Sequence, residues 1–473
     1  MAHVILWNSY GYGLNDRMGS AITSFSLTNY SSVRPLGAHQ LAFWLRQNGY
    51  TVVVIDFCNY ISMPNLTYIT ESYIDKDTIA IGVSTSFWMS IVEPAWVKPA
   101  RSEIESKHPN IKWILGGARE IEYQQEWIEF TSYAEDSALS FLSENKSTNR
   151  FDVKHSTGRY TPLDFIQPHE VLSMELGRGC QFKCRFCAYP MIGKKKGTYI
   201  RNMHLIREEL IKNYEEYGVT RYNFIDDTVN EDEEKVENLA RLAQSLPFEL
   251  EWVGYCRADL IWARPSTIQT LRDSGMRSTF FGIESFHPEA SKIIGKGWSG
   301  KHAKSFLLEL KDRWRDQISI SLGLIVGLPY EPLDSLDEHS EWLISNDFGG
   351  RWAWTPLNVS NKSKYRWRSE FENNHHKYGI KFNKEESHDW YHDLADRESS
   401  IKKTFSLFQK GFRHMTNSGF VQSDYCTTTG AGYVESSKLK LTELTSLESI
   451  QHMRGRLITN VSRYIQQHQS RSS

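Results

Sequence analysis

Three cysteines within eight residues, Cys180, Cys184 and Cys187, constrain this chain more than any other stretch. They follow the apolar run 171–176 through a Gly-Arg-Gly turn at 177–179. Thiolates are soft ligands that select zinc, copper(I) or iron–sulfur clusters. A structural zinc site takes four ligands, the fourth usually another Cys or a His at short spacing. None follows here, and His169 and His204 lie outside the loop without a recognisable spacing. Three thiolates without a fourth suit a cubane iron–sulfur cluster that leaves one iron open. The run before the cysteines reads as a strand, so they stand just beyond its carboxyl end.

Short apolar runs alternate with helical patterns on both sides of this loop. Runs 3–7, 51–56, 78–84 and 111–115 read as strands, and 37–48 as a helix with Ala38, Leu41, Ala42 and Leu45 on one face. Such alternation predicts a Rossmann-like, doubly wound parallel sheet over residues 1–150. Ligands in such folds bind beyond the carboxyl ends of the strands. Those ends carry small or polar residues: Asn8 to Gly13, Ser84 with Ser86, and Gly116 with Gly117. Residues 151–170, with prolines at 162 and 168, read as a linker. Six further strands, at 171–176, 221–225, 249–254, 278–281, 319–326 and 352–357, alternate with helices at 203–217, 234–244, 266–274, 301–313 and 335–344. Six such units over 171–360 make a partial (β/α)6 barrel, with its site at the carboxyl ends of the strands. Residues 361–473 lose the period and read as a small, mostly helical C-terminal domain that carries substrate specificity. Within it, 401–412 and 447–466 are the predicted helices.

A chain of 473 residues is expected to form two or three domains. A formal charge of −2 exerts no global pull on nucleic acid or anionic membrane. The other cysteines, Cys58, Cys256 and Cys426, are far apart and suggest no disulfide framework, so a reduced cytoplasm is the expected compartment. The N-terminus lacks a signal-peptide pattern. Run 318–329 is too short to span a bilayer, and no membrane partner is expected.

The spacing C-x-x-x-C-x-Phe186-C resembles the signature of the radical S-adenosylmethionine (radical SAM) enzymes. That resemblance implies a 4Fe-4S cluster on Cys180, Cys184 and Cys187, SAM on its open iron, and Phe186 near the adenine. Later strand ends extend it. Asp226 and Asp227 stand where the family contacts SAM, although two carboxylates there also suit a helix cap. Arg257 in Arg-x-Asp either pairs with the SAM carboxylate or forms an internal ion pair. Gly282-Ile-Glu284-Ser285 and Lys296-Gly resemble segments whose polar residues reach SAM. Gly323 and Gly327, in Gly-Leu-Ile-Val-Gly-Leu-Pro-Tyr-Glu331, resemble the fifth-strand motif, where bare backbone lets the adenine approach. Lys194 to Lys196 read as a solvated loop or as a contact for an anionic substrate.

The N-terminal domain is similar to the cobalamin-binding domain that precedes many radical SAM modules. Matching residues are Arg34-Pro-Leu-Gly, Asn48-Gly-Tyr-Thr-Val, Gly116-Gly117, and Tyr133-Ala-Glu-Asp, with Ala134 where glycine is usual. Ser84, Ser86, Gly116 and Gly117 would form the low rim that a flat macrocycle needs. No Asp-x-His-x-x-Gly cobalt-ligand motif occurs, and His39 reads as a surface residue of the first helix. The implied function is reductive cleavage of SAM to a 5′-deoxyadenosyl radical and hydrogen abstraction from a substrate, followed by cobalamin-dependent methyl transfer. Two alternatives stand: a cobalamin-independent rearrangement, epimerisation or oxidation with the N-terminal domain as scaffold, and a non-catalytic metal-cluster interaction protein. Substrates of three classes fit (a small molecule, a peptide or a nucleic-acid base), and a flavodoxin or ferredoxin is the expected electron donor.

Overall fold

The structure is a computed structural model of the chain, described here apart from residues 1, 9–33, 59–60, 85–96, 118–127, 131–132, 169, 189–192, 196, 297, 316, 347, 349–351, 363–367, 418–460 and 471–473. Its N-terminal sheet holds β1 (Val4–Asn8), β2 (Val52–Asp56), β3 (Ala80–Ser84), β4 (Lys112–Gly116) and β5 (Ile128–Glu129), all parallel in the order β2-β1-β3-β4-β5. β1 and β2 are buried along their whole length, as strands covered on both faces must be. Val4, Leu6, Val52 and Val54 pack under helices Leu36–Gln47 and Ala134–Leu142. Ile5, Trp7, Val53 and Ile81 pack on the opposite face with residues of helices Met63–Tyr73 and Val97–Lys107. Strand order reverses between β1 and β3, and the crevice at such a reversal is where these folds take ligands.

The second sheet is parallel and strictly sequential: β6 (Val171–Met174), β7 (Arg221–Phe224), β8 (Glu251–Cys256), β9 (Met276–Glu284), β10 (Ser319–Val326) and β11 (Trp352–Pro356). Phe224, Trp252, Phe281 and Leu322 point outward into the core shared with the helices. On the other face Arg221 meets Glu251 at 3.0 Å, and Arg277 meets the same carboxylate at 3.1 Å. These ion pairs tie three strands together near their amino ends. Higher on this face, the ring of Phe280 lies where a Cβ on Gly323 would stand, 2.5 Å from its Cζ. A side chain on Gly323 would therefore collide with the Phe280 ring, a close approach that glycine admits.

β6 is an edge strand, and the N-terminal domain covers it. Ser173 Oγ donates to Arg34 O at 2.7 Å, while the Arg34 fork donates to Glu170 at 2.7 and 2.9 Å. Covering an edge in this way removes a template for unwanted strand pairing. His39, expected at the surface, is buried: its Nε2 lies 3.0 Å from Asp56, which also takes Arg34 at 2.5 Å. Linker and β2 carboxylates face the first helix here, so a polar residue on its inner side is compensated.

Residues 361–396, read as helical, also hold a three-stranded antiparallel sheet of β12 (Lys381–Phe382), β13 (Trp390–His392) and β14 (Ala395–Asp396). Helix Arg397–Asn417 follows, as expected but longer, and Leu407 enters the barrel core. A last helix, 461–470, returns to the N-terminal domain. Its Tyr464 hydroxyl accepts from Asp56 N at 2.8 Å, and Tyr73 Oη lies 2.7 Å from His468 Nδ1.

Candidate cluster site at the barrel mouth

The loop carrying the cysteines leaves β6 at its carboxyl end and is pinned by backbone contacts. Leu176 N donates to Asp226 at 2.7 Å, Arg178 N to Tyr199 O at 2.9 Å, and Lys194 N to Cys180 O at 3.0 Å. A Cβ on Gly177 would stand 2.9 Å from Tyr199 O, so glycine there lets the two limbs of the loop close. Cys180 is buried and Cys184 and Cys187 are half-buried. Burial pushes the Cys180 thiol up.

Among the described residues His39, Asp56 and Asp164 are three donors within 4.8 Å of one another. Cys180, Cys184 and Cys187 are soft donors on one loop, of the kind that takes zinc or an iron–sulfur cluster. Cys58 donates to Ile55 O at 3.0 Å within the N-terminal domain, and Cys256 lies in the barrel core. Cys426, His169 and Lys196 fall outside the described residues.

The two strand-end aspartates differ. Asp226 is buried and committed, taking Leu176 N on one oxygen and Lys235 Nζ on the other at 2.7 Å. Lys235 also pairs with Glu231 at 2.8 Å, and Tyr199 donates to that same Glu231. Asp227 is exposed, and its carboxyl has no hydrogen-bond partner among the described residues, while its backbone carbonyl accepts from Thr228 Oγ1 at 2.7 Å. Surrounding protein, then the charges of Asp226 and Glu231, push its carboxyl up to about 7.

Arg257 closes β8 and turns back to the loop. Its Nε and Nη2 donate to Asp259 at 3.0 and 2.6 Å, and its Nη1 lies 3.4 Å from Cys184 Sγ. The fork that would grip a SAM carboxylate is thus taken by Asp259. Glu284 sits at a φ of +67°, unusual for a side-chain-bearing residue, and pairs with Lys296 at 2.9 Å. Lys296 also donates to Gly282 O. Ser285 Oγ accepts from His287 N at 2.8 Å, in the turn just before the helix that starts at Pro288. Phe186 packs against an apolar cluster that includes Leu328, Phe371 and Trp390, on the side of the mouth made by the C-terminal segment.

Gly327 has a φ of +87°, and a Cβ there would collide with Ser400 Oγ and lie 2.7 Å from Trp390. The C-terminal segment thus makes a close approach to Gly327 that itself requires glycine. His392 Nε2, 3.1 Å from Gly327 O, completes this roof.

In the N-terminal domain Ser84 and Gly116 are register partners at the ends of β3 and β4, and a Cβ on Gly116 would meet nothing within 4 Å. Gly117 follows at a φ of +147°. Ser86 lies outside the described residues. The sequence does not announce Phe182, under the Arg257 guanidinium, Asn230, which holds the Arg257 backbone, or Glu231 and Lys235 beside Asp226. Nor does it announce Glu135 of the Tyr133-Ala-Glu-Asp segment as the partner of Arg178, at 2.8 Å. No spacing announces the contacts of Arg257 with Phe182 and Asn230 or of Arg178 with Glu135, because each joins segments remote along the chain.

Residues 174–343 match the family model described as the Radical SAM superfamily. An uncharacterized methyltransferase of Pyrococcus horikoshii is 22% identical over 193 residues, which cover 37% of this chain and 40% of that relative's length. Two solved structures share the fold across nearly the whole chain. The radical S-adenosylmethionine methyltransferase TsrM from Kitasatospora setae, with cobalamin and a [4Fe-4S] cluster bound, has a TM-score of 0.59 at 13% identity, covering 100% of both chains. The cobalamin-dependent S-adenosylmethionine radical enzyme OxsB, with aqua-cobalamin and S-adenosylmethionine bound, has a TM-score of 0.57 at 12% identity, covering 100% of this chain and 83% of that one. The family match thus covers most of the six-stranded parallel barrel whose mouth carries the cysteine loop, and this barrel is similar to those of the radical SAM superfamily.

Proposed function

We propose that this protein is a cobalamin-dependent radical SAM methyltransferase. The observation that carries the reading is the joint between its two sheets. Glu135 begins the helix after β5, at the carboxyl edge of the N-terminal sheet, and Arg178 lies in the loop that bears the cysteines. Their contact sets the open rim at Ser84 and Gly116 on the same side as the barrel mouth. TsrM and OxsB, which share this two-domain fold, have cobalamin bound.

When bound, the cluster would supply one electron that cleaves SAM to methionine and a 5′-deoxyadenosyl radical, and cobalamin would supply the methyl group. The chain's residues do the rest. Cys180, Cys184 and Cys187 would hold the cluster, while Asp226 and Lys235 hold the loop that carries it. Asp227 offers an uncommitted carboxyl to the SAM ammonium. Phe186 and the C-terminal roof of Trp390 and His392 keep water from the mouth. A low-potential flavodoxin or ferredoxin is the electron donor this chemistry requires, and the C-terminal segment is the part that would select the substrate.

Anaerobic reconstitution tests the cluster and a corrinoid titration tests the methyl transfer. The protein should bind about four irons, and the triple variant Cys180→Ala, Cys184→Ala, Cys187→Ala should bind none. Hydroxocobalamin should shift to its base-off spectrum on binding, since His39 is committed to Asp56 and offers no ligand to cobalt. A protein that loads iron, cleaves SAM and binds no corrinoid at micromolar concentration would leave the N-terminal domain as a scaffold. Iron retained by the triple variant would overturn the cluster assignment.

A further inference from the structure

Arg257 is held more firmly than an ordinary strand-end arginine. Its N–H donates to Asn230 Oδ1 at 2.8 Å, and Asn230 Nδ2 returns a bond to its carbonyl at 2.9 Å. Asp259 takes one edge of its guanidinium through two hydrogen bonds. The Phe182 ring, from the cysteine loop itself, lies 4.0 Å from its Cζ. The nitrogen left over, Nη1, reaches Cys184 Sγ at 3.4 Å. Backbone, carboxylate and aromatic shelf thus aim one cationic N–H at one cysteine sulfur. Cys180 Sγ lies instead 3.7 Å from the neutral Thr228 hydroxyl.

We infer that Arg257 is a positioning residue that raises the reduction potential of the cluster by donating to the Cys184 sulfur. The inference rests on the reading of the three cysteines as cluster ligands. Reduction adds one electron to the cluster, and negative charge grows on its sulfur ligands. Hydrogen bonds to the sulfurs and net charge are among the factors that set such potentials. A guanidinium stays protonated over the whole working pH range, so its effect does not titrate away. Partial burial keeps water from screening it. Arg257 itself forms and breaks no bond and transfers no proton. The electron comes from an external one-electron reductant, which is oxidised in turn. Asp259 orients the fork and offsets part of its charge, so a directed N–H remains at the sulfur.

The test is an EPR-monitored redox titration of anaerobically reconstituted protein, with dithionite and mediator dyes and without SAM. Omitting SAM separates this role from any contact with the SAM carboxylate. Wild type, Arg257→Lys and Arg257→Gln are compared at equal iron content. Arg257→Gln should shift the potential to more negative values, and Arg257→Lys, which keeps the charge but not the fork, should lie between. A loaded Arg257→Gln with an unshifted or more positive potential overturns the inference and leaves the cluster reading intact. Should Arg257→Gln fail to load, Asp259→Asn decides: removal of the counter-anion should shift the potential positively, and no shift or a negative one overturns it. A wild-type protein that loads no iron overturns both.

Discussion

Gly327 shows how a motif glycine can be required by its packing whatever ligand it serves. Its conformation and the atoms facing it both demand glycine, and those atoms belong to Trp390 and Ser400. Gly327→Val should therefore act through stability first. Left-handed strain and overpacking each cost about 1–3 kcal/mol. A lower urea midpoint is expected, with the C-terminal roof loosened. Asp227 allows a pH prediction. Its carboxyl is raised from an ordinary value near 4 to about 7 in the folded protein. Between those values the folded state binds the extra proton, so ionisation costs stability as pH rises through this window. Asp227→Asn removes that cost. Thermal melts of metal-free protein should show the variant more stable than wild type at pH 8, with the gap closing as pH falls toward 4.

At the scale of elements, the cysteine loop depends on a buried ionic post beneath it. Asp226 lies two residues past the end of β7, Glu231 in the following turn, and Lys235 in helix Glu233–Gln244, its ammonium reaching both carboxylates. Removing one partner from a buried network leaves uncompensated charge at about 3–5 kcal/mol. Lys235→Met should lower the urea midpoint accordingly, and it should raise amide exchange at Leu176, whose N–H bonds to Asp226. A variant with unchanged stability and protection would show that the loop is held by its backbone contacts alone. Most barrel elements were legible, and helix Met203–Tyr217 and strand β10 match their predicted limits. Long amphipathic helices and continuous apolar strands announce themselves by period. β12 to β14, of two or three residues each, carry no period long enough to read.

At the scale of the whole molecule, Arg34 is the point where distant parts meet. It joins Asp56 at the end of β2 to Glu170 before β6, and its guanidinium lies 4.8 Å from the Phe57 ring and 5.6 Å from that of Tyr464. Arg34→Met would strand two buried carboxylates between the domains. A loss of several kcal/mol follows by the same reasoning, together with faster proteolysis in 151–170. If the variant unfolds in one transition at the wild-type midpoint, the domains are coupled elsewhere, with Glu135–Arg178 the first alternative to examine. The return of helix 461–470 to the N-terminal domain means that the last stretch of the chain does not act only at the barrel mouth.

The sequence by itself determined the parallel sheets, the order of the barrel units and the three cysteines, because period and short-range spacing are local properties that survive without a fold. Tertiary structure decided what those residues face. It paired Asp226 with Lys235 and left Asp227 open, gave the Arg257 fork to Asp259 and its last N–H to Cys184, and filled the space beside Gly327 with Trp390. It also buried His39 against Asp56. A carboxylate, a guanidinium or a glycine is equally suited to a cofactor or to a neighbouring side chain. Only the packing of segments remote in sequence determines which of the two stands within hydrogen-bonding distance.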